Sequence, residues 1–272
     1  MPGMIIGQYI TGDSIIHRLD PRTKLLSCFI LVMATAMPSQ PIPILLFHLA
    51  FILWVIHLSQ MGIARVLFGL KTLRILFLII FICQIFFTGG HPILSAAGIT
   101  ITIEGVNLAI STFLRLAVIF LTGSLLTMTT STLMLAAGLE WLLSPLSRLR
   151  FPVHQFAMII NISLRFIPTI LEEADIIRRA QKSRGASFDS GPLFTRLQNS
   201  LAILIPVLAA SMQRANDLAL AMESRGYTGD SFNYSRINMM VFKREDQITL
   251  IIMAGLFAIM PISYYLKLLT II

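Results

Sequence analysis

Apolar residues gather along the chain in runs at 25–37, 42–58, 74–88, 106–128 and 247–266. A helix needs about 20 residues to cross a bilayer, and about 17 at the least. The first run is short by itself, but "LDPRTKLLSCFILVMATAMP" is long enough if the helix starts near Pro21. Asp20 suits the N-cap and Pro21 the first helical position. "MPSQPIP", from Met37 to Pro43, then reads as a tight turn between two spans. The pattern predicts five transmembrane helices.

Between the fourth and fifth runs the pattern changes. Residues 129–245 hold most of the charge, including Arg148, Arg150, Arg165, Arg178, Arg179, Lys182, Arg184, Arg196, Arg214 and Arg225. Two long stretches there, "HQFAMIINISLRFIPTILEEADIIRRAQ" and "RLQNSLAILIPVLAASMQRANDLALAME", carry too much charge to be simple spans. Apolar residues lead and charged ones follow, as in amphipathic helices with a buried face and solvated ends. Pro168 and Pro206 fall at comparable places within them, so two bent or broken helices are expected. A shorter amphipathic piece, "STLMLAAGLEWLLSPLSRLR", precedes them and stops near Pro145. The predicted fold is an all-α integral membrane protein with a cytoplasmic-facing platform of long amphipathic helices. Its expected parts are 1–128 with spans one to four, 129–245 as the platform, and 246–272 with span five.

Composition agrees with the pattern. The chain has 272 residues, 56% hydrophobic and 12% charged, and a mean hydropathy of +0.82, whereas soluble domains carry about a quarter charged residues. The formal net charge of +8 then marks a membrane side rather than a nucleic-acid partner. Arg18, Arg22 and Lys24 precede span one, and Arg65, Lys71 and Arg74 lie between spans two and three. Loops 38–41 and 88–105 contain neither Lys nor Arg. The positive-inside rule therefore places the N-terminus and the platform in the cytoplasm and the C-terminus outside. The N-terminal residues lack the basic and apolar regions of a cleavable signal peptide, so insertion is expected to rely on span one. Cys28 and Cys83 sit in apolar runs and read as inert thiols.

One tripeptide occurs at two predicted helix ends: "RRAQKSRGASFDS" and "LALAMESRGYTGDS" align with an offset of 41 residues. Ala174 matches Ala215, Ala180 matches Ala221, and Asp189-Ser190 matches Asp230-Ser231. In the plainer reading, Gly185 and Gly226 stop each helix in a left-handed cap, and Arg184 and Arg225 complement the negative end of the dipole. The functional reading uses the same geometry. An Arg on a helix tip can grip a carboxylate with both arms, as Lys cannot, while Ser183, Ser224 and the two glycines keep the tip narrow. Two such tips suit two similar grooves, as a dimeric partner offers.

These residues carry a resemblance. With "GQYITGDSIIHRLDPRTKLL", "SPLSRL", "SLRFIPTILEEADIIRRAQKSRGA" and "AMESRGYTG" in order, the whole chain resembles the T component, the transmembrane coupling subunit, of energy-coupling factor (ECF) vitamin transporters, the EcfT/CbiQ-like family. The family's usual tripeptide is Ala-Arg-Gly; both copies here begin with Ser. The resemblance implies a non-catalytic subunit in a prokaryotic plasma membrane. Its tips Ser183-Arg184-Gly185 and Ser224-Arg225-Gly226 would dock into two ABC-type ATPase subunits, which bind the ATP and magnesium. Its amphipathic helices would cradle a substrate-binding membrane S component and pass the ATPase movement to it. The chain itself would bind no cofactor and no metal. Consistently, no GxxxxGK[ST] stretch occurs.

The alternatives are a standalone secondary transporter or channel and a membrane enzyme acting on a lipid-like substrate. No acidic residue falls within the five predicted runs, with Glu104 placed in an outer loop, whereas a proton-coupled carrier needs carboxylates at membrane depth. Arg115 sits near the middle of span four, where it must face protein or snorkel; pairing within the chain and contact with a partner both stay open. Arg165, Pro168 and Pro206 are grouped with it as structural or partner-contact candidates. Glu172, Glu173 and Asp175 read as helical-spacing partners of Arg178, Arg179 and Lys182 rather than as a catalytic cluster. His17, His48, His57, His91 and His154 lack ligand spacing. Methionines such as Met158 and Met212 suit either a core or an adaptable surface for several S components.

Overall fold

The computed structural model describes residues 9–10, 12–37, 40–62, 66, 69–71, 73–96, 99–145, 153–186, 188, 192–227 and 242–269. Arg65, Arg148, Arg150, Asp189, Ser190, Asp230 and Ser231 lie outside the described residues. Helices dominate: α1 Ile15–Arg18, α2 Pro21–Ala36, α3 Ile42–Leu58, α4 Arg74–Phe87, α5 Ile103–Thr129, α6 Thr132–Leu143, α7 Val153–Ser183, α8 Leu193–Ser224 and α9 Arg244–Leu269. The chain divides into two compact units, one of residues 1–142 and 239–272, the other of residues 143–238.

In the first unit, helices α2, α3, α4, α5 and α9 take the five apolar runs. The Asp20 side chain accepts from the Arg22 backbone N–H at 2.9 Å, and Pro21 opens α2. That satisfies one orphan amide of the first turn, and proline has none to satisfy. The 27-residue α5 is the described helix that is long and apolar enough to cross a bilayer by length and composition, while α3, α4 and α6 are shorter apolar helices. α5 is also the central element, packing against α2, α3 and α4, and α2 packs against α9. Leu31 of α2, Ile52 and Ile56 of α3, Val66, and Leu121 and Leu125 of α5 form a buried core. Large apolar side chains on the other faces, such as Phe29, Trp54, Ile75, Leu78 and Phe113, are exposed. A helix apolar all round belongs in lipid, so the chain is an all-α membrane protein.

The loop at 88–105 holds more structure than its polarity suggests. β1 Pro92–Ala96 and β2 Ile99–Thr102 pair antiparallel as a hairpin. Thr102 then caps α5: its hydroxyl donates to the Thr88 carbonyl at 2.9 Å and accepts from the Gly105 N–H at 3.1 Å. Glu104 accepts from the His91 N–H at 2.8 Å. The alternating Ile and Thr of β2 are the strand signal.

The second unit pairs α7 with α8. Each helix runs unbroken past its internal proline, Pro168 in the 31-residue α7 and Pro206 in the 32-residue α8. Broken helices were one expectation from these prolines; their neighbours sustain the helix on both sides instead. One polar contact between the two is Arg214 Nη2 donating to Glu173 Oε2 at 3.0 Å. This corrects the expected pairing of Glu173 along its own helix: Arg214 on the facing helix takes it.

Candidate functional site

Both Ser-Arg-Gly tripeptides end a long helix, and they end it in the same way. At the tip of α7, Gly185 has φ +90°, its N–H donates to the Lys182 carbonyl at 3.0 Å, and the Ala186 N–H donates to the Gln181 carbonyl at 3.0 Å. At the tip of α8, Gly226 has φ +79°, its N–H donates to Glu223 at 2.9 Å, and the Tyr227 N–H donates to Met222 at 3.0 Å. This is the Schellman cap twice over, and it needs a residue without a Cβ penalty at positive φ. The serines fold back onto their helices: Ser183 Oγ donates to the Arg179 carbonyl at 3.2 Å and Ser224 Oγ to the Ala221 carbonyl at 2.9 Å. Arg184 and Arg225 are exposed, and among the described residues neither guanidinium has a partner. Each tip therefore offers one guanidinium with all its donors available.

The remaining candidates are placed differently. Arg165, Pro168 and Pro206 are exposed. Arg115 is held inside the first unit: its Nε donates to the Thr35 carbonyl at 3.1 Å and its Nη2 to the Met37 carbonyl at 3.3 Å. Those are orphan carbonyls at the C-terminal end of α2, where a cation also meets the negative end of the dipole. Arg115 is thus a cap on a neighbouring helix.

The N-terminal motif builds a second polar constellation that sequence reasoning did not foresee. The Ile10 N–H donates to the Met128 carbonyl at 3.0 Å. His17 lies between Ser14 Oγ, 2.7 Å from Nδ1, and the Ile10 carbonyl, 3.2 Å from Nε2. Burial pushes the His17 pKa below its ordinary value of 6.5, the Ile10 carbonyl opposes the shift, and the Lys24 charge adds to it. The neutral ring satisfies both contacts, with Nε2–H donating and Nδ1 accepting. Lys24, which looked like one more positive-inside charge, is buried. Its Nζ donates to the carbonyls of His17 at 3.1 Å and Thr129 at 3.0 Å. Asp246 is 1% exposed and accepts from the backbone N–H of Asp20 and of Lys243, each at 2.9 Å. Arg22 lies 5.4 Å over the Trp141 ring. The ends of α1, α2, α5, α6 and α9 are tied together by these groups. The available signal was Asp246 immediately ahead of an apolar run, a carboxylate at a helix start.

Comparison with known proteins gives the family of the chain. The family described as cobalt transport protein, CbiQ, matches residues 12–234. The energy-coupling factor transporter transmembrane protein EcfT of Brevibacillus brevis (strain 47) is 41% identical over 257 residues, 93% of this chain and 95% of the relative. The protein of the same name from Ruminiclostridium cellulolyticum is 42% identical over 243 residues, 89% of this chain and 90% of the relative. That of Bacillus subtilis (strain 168) is 37% identical over 260 residues, covering 94% and 97%. Matches of this extent over nearly the full length of both partners show common descent of the whole chain, and the chain belongs to the CbiQ/EcfT family of energy-coupling factor transporter transmembrane components.

Proposed function

We propose that the chain is the coupling subunit of an ATP-driven micronutrient importer and has no catalytic activity of its own. The observation that carries this reading is the pair of identically capped helix ends, each with an exposed Arg that has no partner among the described residues. Two ABC-type ATPase subunits bind ATP and magnesium, and each receives one tip, Ser183-Arg184-Gly185 or Ser224-Arg225-Gly226. A charge-assisted, two-armed contact between each guanidinium and acidic groups in the groove fixes the tip. Nucleotide binding and hydrolysis move the grooves, and α7 and α8 pass that movement to a substrate-binding S component in the bilayer. The chain resides in the plasma membrane of a prokaryote, with its N-terminus and the residues 129–245 on the cytoplasmic side. Cargo is chosen by the S component. The cobalt of the family description and the vitamins of the ECF resemblance are both compatible with one coupling subunit.

Replacing Arg184 and Arg225 together with Ala tests this. ATPase subunits no longer copurify in stoichiometric amounts, and ATP-dependent uptake falls by about tenfold or more, as expected for desolvated charge pairs. Arg→Lys at both tips keeps the charge and recovers only part of the uptake. Normal assembly and normal uptake in the double Ala variant would falsify the coupling reading, as would uptake by the chain without ATPases.

A further inference from the structure

Residues 143–238 are inserted into the first unit, which the chain leaves at Leu142 and re-enters at Met239. The helices on either side of that insertion, α6 and α9, are both fastened to the first turns of α2. α9 is held through Asp246, which accepts from the Asp20 N–H at 2.9 Å. α6 follows α5 after a two-residue link. There Ser131 accepts the Leu135 N–H through its carbonyl at 2.9 Å and the Met134 N–H through Oγ at 3.4 Å. Thr129, the last residue of α5, is itself tied to α2, since Lys24 Nζ donates to its carbonyl at 3.0 Å. Among the described residues of α6, Gly138 is the buried one. A Cβ there would stand 2.7 Å from Leu25 Cδ1 and 3.4 Å from the carbonyl carbon of Pro21, so glycine lets α6 lie close against α2. One turn on, Trp141 presents its ring to the Arg22 guanidinium at 5.4 Å, a cation–π contact. Gly138 and Trp141 are three residues apart and share one face of α6. The geometry resists sliding. A shift of one turn would put Met134 or Leu142 where Gly138 sits, and either side chain would displace Leu25 and meet the Pro21 backbone. It would also carry Trp141 about 5.4 Å along the helix axis, away from Arg22.

We infer, given the coupling function proposed above, that Arg22, Gly138 and Trp141 are positioning residues for coupled transport. They hold α6 still against α2, so that the movement imposed by the ATPases starts beyond Leu142. A subunit that passes movement from two tips to a partner in the bilayer needs a part that does not follow the tips. The start of α2 provides it for both connections, holding α6 by close packing and a cation–π contact and α9 by the Asp246 carboxylate. If α6 gave way on α2, ATP hydrolysis would shift α6 within the first unit, and less of the movement would reach the S component. Loosening the contact therefore leaves ATPase docking at Arg184 and Arg225 intact and lowers the cargo imported per ATP hydrolysed.

The test uses the complete complex with its own ATPase and S subunits in proteoliposomes. Radiolabelled cobalt(II) or riboflavin is the cargo, whichever the wild type imports. Trp141→Leu keeps an apolar side chain without the aromatic face. It should copurify with the ATPases and hydrolyse ATP at the wild-type rate. Its uptake per ATP should fall about threefold, the ratio set by one cation–π contact at an exposed site. Trp141→Phe keeps the face and should recover most of that ratio. In a second measurement, Leu25→Cys and Gly138→Cys are combined with Cys28→Ser and Cys83→Ser, and the pair is oxidised in the assembled complex. Closure is read as the loss of two maleimide-reactive thiols in the mass of the intact chain. The locked complex should transport as fast as it does after reduction. An unchanged ratio in Trp141→Leu, a ratio that Trp141→Phe does not recover, or loss of ATPase copurification in Trp141→Leu overturns the inference. Uptake stopped by the lock and restored by reduction, or a pair that never closes, overturns it too. A wild-type complex whose uptake ignores ATP sinks the coupling reading instead.

Discussion

At the scale of single residues, the chain uses charge in two opposite ways. Arg184 and Arg225 are exposed, with no partner among the described residues, while Lys24 and Asp246 are buried and hydrogen-bonded. The two kinds look alike in the sequence, because a basic residue near an apolar run satisfies the positive-inside rule whether or not its side chain is buried. Only the fold brings Asp246 to the Asp20 amide across 226 positions of chain. A buried carboxylate holding two amides stabilises by charge-assisted bonds, each worth about 1.5–3 kcal/mol. Asp246→Asn keeps one acceptor oxygen but turns an NH₂ toward an amide donor and leaves Lys24 less well matched. It should cost about 2 kcal/mol and lower the apparent melting temperature of the detergent-solubilised chain by about 5 °C. The neighbouring Glu245→Gln, at an exposed position, should leave the melting curve in place. Equal melting curves for both variants would show that the carboxylate does not hold α9 to α2.

At the scale of elements, the apolar runs marked α2, α3, α4, α5 and α9 to within a few residues, since a bilayer demands long uninterrupted apolar segments and leaves little ambiguity. The two tip motifs were legible for a different reason: Arg-Gly after a helical pattern encodes a local cap that needs no tertiary partner. Non-local features were not legible. The hairpin at 92–102 depends on strand pairing, Arg115 depends on the end of α2, and Glu173 depends on a facing helix 41 residues away in sequence. Pro168 and Pro206 were weighed as bends or breaks, and both helices continue unbroken past them. The cap itself yields a prediction that separates shape from charge at the tip. Gly226 sits at φ +79°, a conformation costing most residues about 1–2 kcal/mol but tolerated by Asn. Gly226→Asn should preserve ATPase copurification and uptake. Gly226→Val, β-branched and intact in charge, should splay the α8 tip and reduce both several-fold, with Arg225 still present. Full activity in Gly226→Val would mean that the guanidinium works without a defined cap.

At the scale of the whole molecule, the chain order is the main consequence. The first unit is interrupted: residues 1–142 and 239–272 belong together, and residues 143–238 are inserted between them. The Asp246 contacts to Asp20 and Lys243 close this interruption by joining the start of α9 to the start of α2. Both helix starts must then lie on one membrane side, because a buried contact between them cannot be made from opposite faces of a bilayer. In the topology proposed above that side is the cytoplasm, as the positive-inside rule expects from Arg18, Arg22 and Lys24. In that proposed topology the four expected spans α2, α3, α4 and α5 return the chain to the same side, and α9 carries it across once more. A reporter at the C-terminus should therefore read as external, with active alkaline phosphatase and dark green fluorescent protein. The same reporters fused after Gly191 or after Gly229, within the inserted residues, should give the reverse. Adding Lys or Arg to the loop at 38–41, which has none, should lower correct insertion. With the start of α2 in the cytoplasm, a cytoplasmic C-terminus would require an even number of spans and would separate Asp246 from Asp20, so the fusion series tests the topology and the contact that closes the first unit together.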